Sequence, residues 1–143
     1  MFIKTFQAGW GDMDYNGHMR NTAYLDYSAT LRMIYFQSSG FPMSEFARLK
    51  LGPVVLKDEI EYFREIRLLE EFQVKFELAG FSEDGRKCRV RNTFICSNGK
   101  TSAKVTSFVS WMNLVERKLI VPPENLFAAM TNLAKTEDYQ LLK

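Results

Sequence analysis

Histidine is nearly missing: the 143 residues contain one, His18, beside two cysteines, Cys88 and Cys96. One imidazole and two distant thiols do not assemble a zinc site, so no metal is expected. The cysteines lie on one expected strand, too far apart to bridge each other, and read as small buried hydrophobes of a reducing compartment. Charge of one sign is also scarce. A formal net charge of +2 lacks the clustered basic face that nucleic-acid binding requires. No apolar run approaches the roughly 18 residues of a membrane span, and Met1-Phe2-Ile3-Lys4 leads straight into alternating residues without an apolar leader. A cytoplasmic protein that engages neither membrane nor nucleic acid is expected. Repeats, linkers and low-complexity segments are absent too. With 46% hydrophobic and 25% charged residues, the chain can bury one real core and reads as a single globular domain over residues 1–143.

What is present is organised around Gly11-Asp12-Met13-Asp14-Tyr15-Asn16-Gly17-His18-Met19-Arg20-Asn21. This stretch packs two acids, two glycines and the only histidine into the approach to the longest helical segment. Asp, Asn and Gly tolerate tight turns, so residues 11–17 are expected as loop, with Asn21 or Thr22 as N-cap of the helix that follows. The loop then delivers Asp14 and His18 to a helix N-terminus, where unpaired N–H groups and the helix dipole favour developing negative charge. Asp12 reads as a turn former.

Around this stretch the periodicity changes twice. Phe2 to Ala8 alternates weakly, as a short strand. Residues 22–38 lack Pro and Gly. On a helical wheel Ala23, Tyr24, Tyr27, Leu31, Ile34 and Tyr35 form one apolar arc, and Leu25, Ala29 and Phe36 form another. A helix apolar over most of its circumference is expected to be buried. Gly40 and Pro42 stop it. From Gly52 onward the period is two, with strands expected at 53–64, 72–78, 87–96 and 101–115. Ser82-Glu83-Asp84-Gly85 and Ser97-Asn98-Gly99 are the turns of an antiparallel meander. Pro122 and Pro123 open a terminal helix with Leu126, Met130 and Leu133 on one face. Strict alternation places Asp58 on the face of Val54, Leu56, Ile60 and Tyr62. There a carboxylate is costly, so a bulge that turns it outward is expected, with a site or interface role as the alternative.

One sheet must wrap the long helix, since nothing else in the chain covers it. That layout is α+β, a single hotdog domain. The run Trp10 to Leu25, with Asp14, His18, Asn21 and Tyr24-Leu25 at its core, resembles the signature of the 4-hydroxybenzoyl-CoA thioesterase-like family of acyl-CoA thioesterases. Ile60-Glu61-Tyr62 and Val121-Pro122-Pro123-Glu124 resemble further, weaker features of that family.

The resemblance implies hydrolysis of an acyl-CoA thioester, with Asp14 as nucleophile or general base and helix amides polarising the carbonyl oxygen. His18 would orient the loop or carry a proton, and Asn21 would cap the helix and present its N–H. Independently of the resemblance, the aromatics read mostly as core, with Tyr24, Tyr27 and Tyr35 on the buried helix as the alternative lining of an acyl or aryl tunnel. Lys87, Arg89 and Arg91, on the solvent face of one strand, read either as an ordinary charged edge or as fixed cations for coenzyme A phosphates. No cofactor is expected beyond the coenzyme A of the substrate. The resemblance also implies a homodimer or a dimer of dimers with shared sites. Two departures stand out. Ala29 and Thr30 occupy positions where many relatives carry a second acid, and Tyr62-Phe63-Arg64-Glu65 runs where relatives tend to have Pro. A noncatalytic acyl-CoA-binding protein and a hotdog hydratase or dehydratase are the competing readings. The second lacks its Pro-Gly-His or Asp-x-Asn-Pro setting here.

Overall fold

The computed structural model describes all 143 residues, Met1–Lys143. In chain order it contains β1 (Phe2–Gln7), a 3-10 turn (Trp10–Asp12), α1 (Asn21–Ser38), α2 (Met43–Leu49), β2 (Leu51–Tyr62), β3 (Glu71–Ser82) and β4 (Cys88–Ile95). Then follow β5 (Thr101–Asn113), β6 (Lys118–Ile120), α3 (Glu124–Thr131) and β7 (Lys135–Leu142). The sheet runs β1-β3-β4-β5-β2, with β6 added along β5 and β7 along β3. Its pairings are antiparallel except for the parallel β3–β7 contact. The expected meander is β3-β4-β5. Gly85 and Gly99 adopt φ of +77° and +85° in its two turns, a left-handed backbone that glycine enters without steric cost.

The sheet curls around α1, the longest of the three helices. Ala23, Tyr24, Ser28, Leu31, Tyr35 and Phe36 form its buried face. Buried Ser28 is satisfied by donating to the Tyr24 carbonyl at 2.7 Å. The aromatic rings meet the sheet edge-on, Tyr24 against Phe94 at 4.9 Å, Tyr35 against Phe76 at 5.4 Å and Phe36 against Trp111 at 6.2 Å. This is the geometry that ring quadrupoles favour. Burial does not reach all round the helix, as the wheel suggested. Ala29 is exposed, and Leu25, Met33 and Ile34 are half-buried, because the sheet covers only one side. Gly40, at φ +82°, lets the Phe41 N–H return to the Phe36 carbonyl at 3.0 Å, and Pro42 then caps α2.

Three local features depart from the sequence expectation. The N-cap of α1 is Arg20, and its side chain makes no capping bond; Asn21 is the first helical residue. The bulge in β2 exists, but it falls at Leu56 and does not turn Asp58 outward. Val55 pairs with Val109, and after the extra residue Asp58 pairs with Ser107, so both stay on the face that carries the core residues Val105 and Val109. Asp58 is tolerated there because β2 is an edge strand open to water and because the buried Ser107 hydroxyl donates to its Oδ1 at 2.6 Å. Arg32 of α1 donates to the same hydroxyl at 3.3 Å. Finally, β4 is no edge: it lies between β3 and β5. The edges are β1 with β7 on one side and β2 alone on the other.

Candidate active site

The loop before α1 folds on its own main chain. Asp14 Oδ1 accepts the N–H groups of Asn16 at 2.8 Å and His18 at 3.1 Å. Its own N–H donates to the His18 carbonyl at 2.7 Å. Gly17, at φ +78°, makes this reversal possible. Met13 and Met19 pair as a single bridge, and the Met19 N–H donates to the Ile66 carbonyl at 2.8 Å, joining the loop to the segment after β2. One oxygen of Asp14 is thus held by amides, while Oδ2 has no protein partner within hydrogen-bonding distance.

That carboxylate lies on a cavity of about 360 Å³ lined by Asp14, His18, Met19, Asn21, Tyr24, Tyr62, Phe63, Arg64 and Glu65. Of the residues the sequence singled out for chemistry, Asp14, His18, Asn21 and Tyr24 meet here. Helix geometry leaves the first N–H groups of α1 without intrahelical acceptors, and no side chain caps them. Tyr24, buried against Phe94 and edge-on to Tyr62, has its hydroxyl within 3.2 Å of Ser102 Oγ, which itself donates to the Arg64 carbonyl at 2.7 Å. Burial pushes the Tyr24 hydroxyl above its ordinary pKa.

Tyr27 is not in this cavity. Its hydroxyl donates to Asp12 Oδ2 at 2.6 Å, and its ring packs on Phe6 and Phe72. Burial, followed by the Asp12 hydrogen bond and charge, pushes its pKa up to about 12. Asp12 also accepts the Gly9 N–H at 2.9 Å. It is therefore an anchor between the loop and α1 as well as a turn residue.

Sequence reasoning missed the partner of His18. The imidazole Nε2 lies 2.6 Å from Glu65 Oε2, and Arg67 approaches the same oxygen at 3.9 Å. The only signal was the departure at Glu65 itself, where relatives tend to have Pro.

Lys87, Arg89 and Arg91 lie together on the outer face of the sheet, where β7 and the C-terminal Lys143 engage them. Lys87 Nζ donates to the Lys143 carbonyl at 2.8 Å. Arg89 donates to the Ala79 carbonyl at 2.9 Å and the Asp138 carbonyl at 3.4 Å. Arg91 forms a two-pronged pair with Asp138 at 2.7 and 3.1 Å and donates to Thr106 at 2.9 Å. These bonds hold the Asp138 carboxyl far below the usual carboxylate range, Arg91 first and Thr136 second. Arg91 also lines a trough of about 660 Å³ of mixed charge, with Lys75, Lys104 and Lys135 beside Glu77, Glu137 and Asp138. The trough reaches the cavity rim, because Lys104 Nζ sits 6.0 Å from the ring of Phe63, a cavity wall.

A curled sheet around one helix, with an acidic loop at the helix N-terminus, is the hotdog fold. Solved structures agree. A Staphylococcus aureus protein in complex with CoA superposes with a TM-score of 0.84 at 17% identity, over 99% of this chain and 87% of that one. A 1,4-dihydroxy-2-naphthoyl-CoA thioesterase from Synechocystis gives 0.82 at 13% identity, over 92% and 96%. A DHNA-CoA thioesterase from S. aureus gives 0.76 at 16%, over 83% and 78%. At such identities these likenesses establish the fold alone. No curated relative matches by sequence. The chain belongs to the thioesterase-like superfamily, whose family model matches residues 8–130. Its class is thioester hydrolase. No helix is long and apolar enough to cross a membrane.

Proposed function

We propose that this protein hydrolyses acyl-CoA thioesters in the cavity beside the α1 N-terminus, with Asp14 as nucleophile or general base. The observation that carries the reading is the under-bonded carboxylate. Asp14 Oδ1 is fixed by two amides while Oδ2 is left for a reacting atom. Oδ2 either attacks the thioester carbonyl carbon or takes a proton from an attacking water. In both routes charge gathers on the carbonyl oxygen and the C–S bond then breaks with its electron pair on the coenzyme sulfur. In the first route water goes on to cleave the resulting acyl–Asp14 anhydride, and in both the water supplies the acid's new oxygen and the proton taken up by the thiolate. The uncapped N–H groups of Asn21 and Thr22 are the donors suited to that oxygen, and one such donor contributes roughly 3 kcal/mol to the transition state. Tyr24, Tyr62 and Phe63 supply the apolar wall for the acyl group.

The coenzyme phosphates belong to the cations of the outer trough. Lys104 lies at the cavity rim beside Phe63, whereas Arg91 is paired with Asp138 and Lys87 and Arg89 are engaged by the C-terminal segment. Among solved hotdog structures, the S. aureus protein carrying CoA and the two 1,4-dihydroxy-2-naphthoyl-CoA thioesterases support this substrate class. The chemistry needs only side chains and amides, so a chelator is expected to leave the rate unchanged.

The working unit is a homodimer or a pair of dimers. The twelve-residue strand β2 leaves one edge unpaired and exposes Val55, Leu56 and Tyr62. Exposed Ala29 and half-buried Leu25 and Met33 face the same lack of cover on α1. A second copy along β2 would continue the sheet and reach the cavity wall at Tyr62 and Phe63. Release of free thiol from a panel of acyl-CoA esters of varied chain length and aromaticity tests the function. Turnover by the wild type with a clear optimum, abolished in Asp14→Ala, supports it; a wild type inert toward the whole panel refutes it.

A further inference from the structure

The pair His18–Glu65 has no place in the chemistry above. Its side chains are 36% and 50% exposed, and ion pairs so open to water contribute little to stability. Yet both line the reaction cavity. The backbone around Glu65 is pinned. The N–H groups of Phe63 and Arg64 donate to the Ser102 carbonyl at 2.8 and 3.0 Å, and Ile66 is fully buried. His18 and Arg67 form a main-chain bridge alongside. On the other side, the His18 main chain holds Asp14 twice, by its N–H on Oδ1 and by its carbonyl on the Asp14 N–H.

We propose that Glu65 is a positioning residue: its carboxylate fixes the imidazole of His18 and, through the His18 main chain, the reacting carboxylate of Asp14. This rests on the thioesterase reading. A fixed carboxylate on a pinned strand exit converts a glycine-containing loop into a rigid mount, and small misplacements of a reacting group are costly in rate. Arg67 approaches the same Glu65 oxygen at 3.9 Å.

The test uses the full-length protein and its best CoA ester. Glu65→Ala should lower kcat by about 10-fold and leave KM within about 2-fold, the pattern of a group that acts on the transition state. Glu65→Gln keeps an acceptor for Nε2–H and should recover kcat to within about 3-fold of wild type. His18→Ala combined with Glu65→Ala should be no slower than His18→Ala alone, because coupled residues are not additive. Wild-type kcat in Glu65→Ala, or rate losses that multiply in the double variant, would overturn the proposal. The sole imidazole of the chain offers a readout that needs no substrate and survives if Glu65→Ala does not fold. Its ring NMR resonances should move in Glu65→Gln and stay in place in Glu83→Gln, on the remote β3–β4 turn. Unmoved resonances in Glu65→Gln would contradict the contact even where turnover is normal. Moved resonances in a protein that hydrolyses no CoA ester would count against the thioesterase reading instead.

Discussion

Asp12 and Asp14 are two residues apart in one loop and live in opposite regimes. On the Asp12 side the carboxylate is consumed by structure: Oδ2 takes the Tyr27 hydroxyl and the Gly9 N–H, and the Tyr27 ring is wedged among Phe6 and Phe72. On the Asp14 side only amides of the same loop are used, the remaining oxygen has no hydrogen-bond partner, and the residue lines a cavity. The outer sheet face repeats the first regime, with Arg91 and Asp138 matched to each other. Polar groups that hold a fold together are mostly partnered, since an orphaned buried group is costly; Arg89 Nε and Asn92 Oδ1 are the two buried side-chain atoms without a partner. A group that must meet a substrate is left with an open valence, and its support comes from the main chain.

Dilution is expected to have the largest effect. If the cavity is completed by a second copy along β2, activity vanishes on dilution together with the fold, because obligate interfaces of roughly 2,000 Å² or more leave no stable monomer. An active 16.6 kDa monomer by light scattering at low micromolar concentration would break the shared-site model. Next, replacing Lys104 by Ala should raise KM for a CoA ester by about 3-fold with little change in kcat, and added salt should mimic it. A pantetheine thioester without the nucleotide should not respond, and equal effects on both substrates would move the phosphates elsewhere.

The matched region makes a smaller, pH-dependent contribution. Asp138 is held below its unfolded pKa of about 3.9, so its stabilisation is complete above that value and is lost as pH falls through the lower, folded pKa. The melting-temperature gap between wild type and Asp138→Asn should therefore be constant near neutrality and close in strong acid. A gap that persists there would mean the Arg91 pair does not depend on the charge. The smallest effect concerns Cys88, whose thiol burial pushes to about 12. It should resist alkylation at pH 8 in the folded protein and react only after denaturation.

Much of this was legible in the sequence because it rests on strong local signals. Period two marks β3 to β5, the Asp/Gly loop precedes a long Pro-free helix, and the Leu126, Met130 and Leu133 face is buried as read. Strand β7 was not legible: Lys135-Thr136-Glu137-Asp138-Tyr139-Gln140 is almost wholly polar, and only Tyr139 of this run packs against the core. Helix α2 has only seven residues, too few to show a period. Tyr27 was misplaced because a helical wheel gives the face of a residue but not its reach along the axis, and Asp12 draws it away from the cavity. Glu65 was invisible as a partner because a main-chain bridge, not sequence proximity, brings it to His18.

The decisive measurement is the paired comparison of Asp12→Asn and Asp14→Asn, with turnover of a CoA ester and thermal melting recorded on the same samples. Asp14→Asn is expected to lose at least ~100-fold in kcat and melt close to wild type. Asp12→Asn is expected to lose about 1–2 kcal/mol of stability, as its charged hydrogen bond from Tyr27 weakens, and to keep most of its turnover. Near-wild-type turnover in Asp14→Asn would contradict the account at its centre.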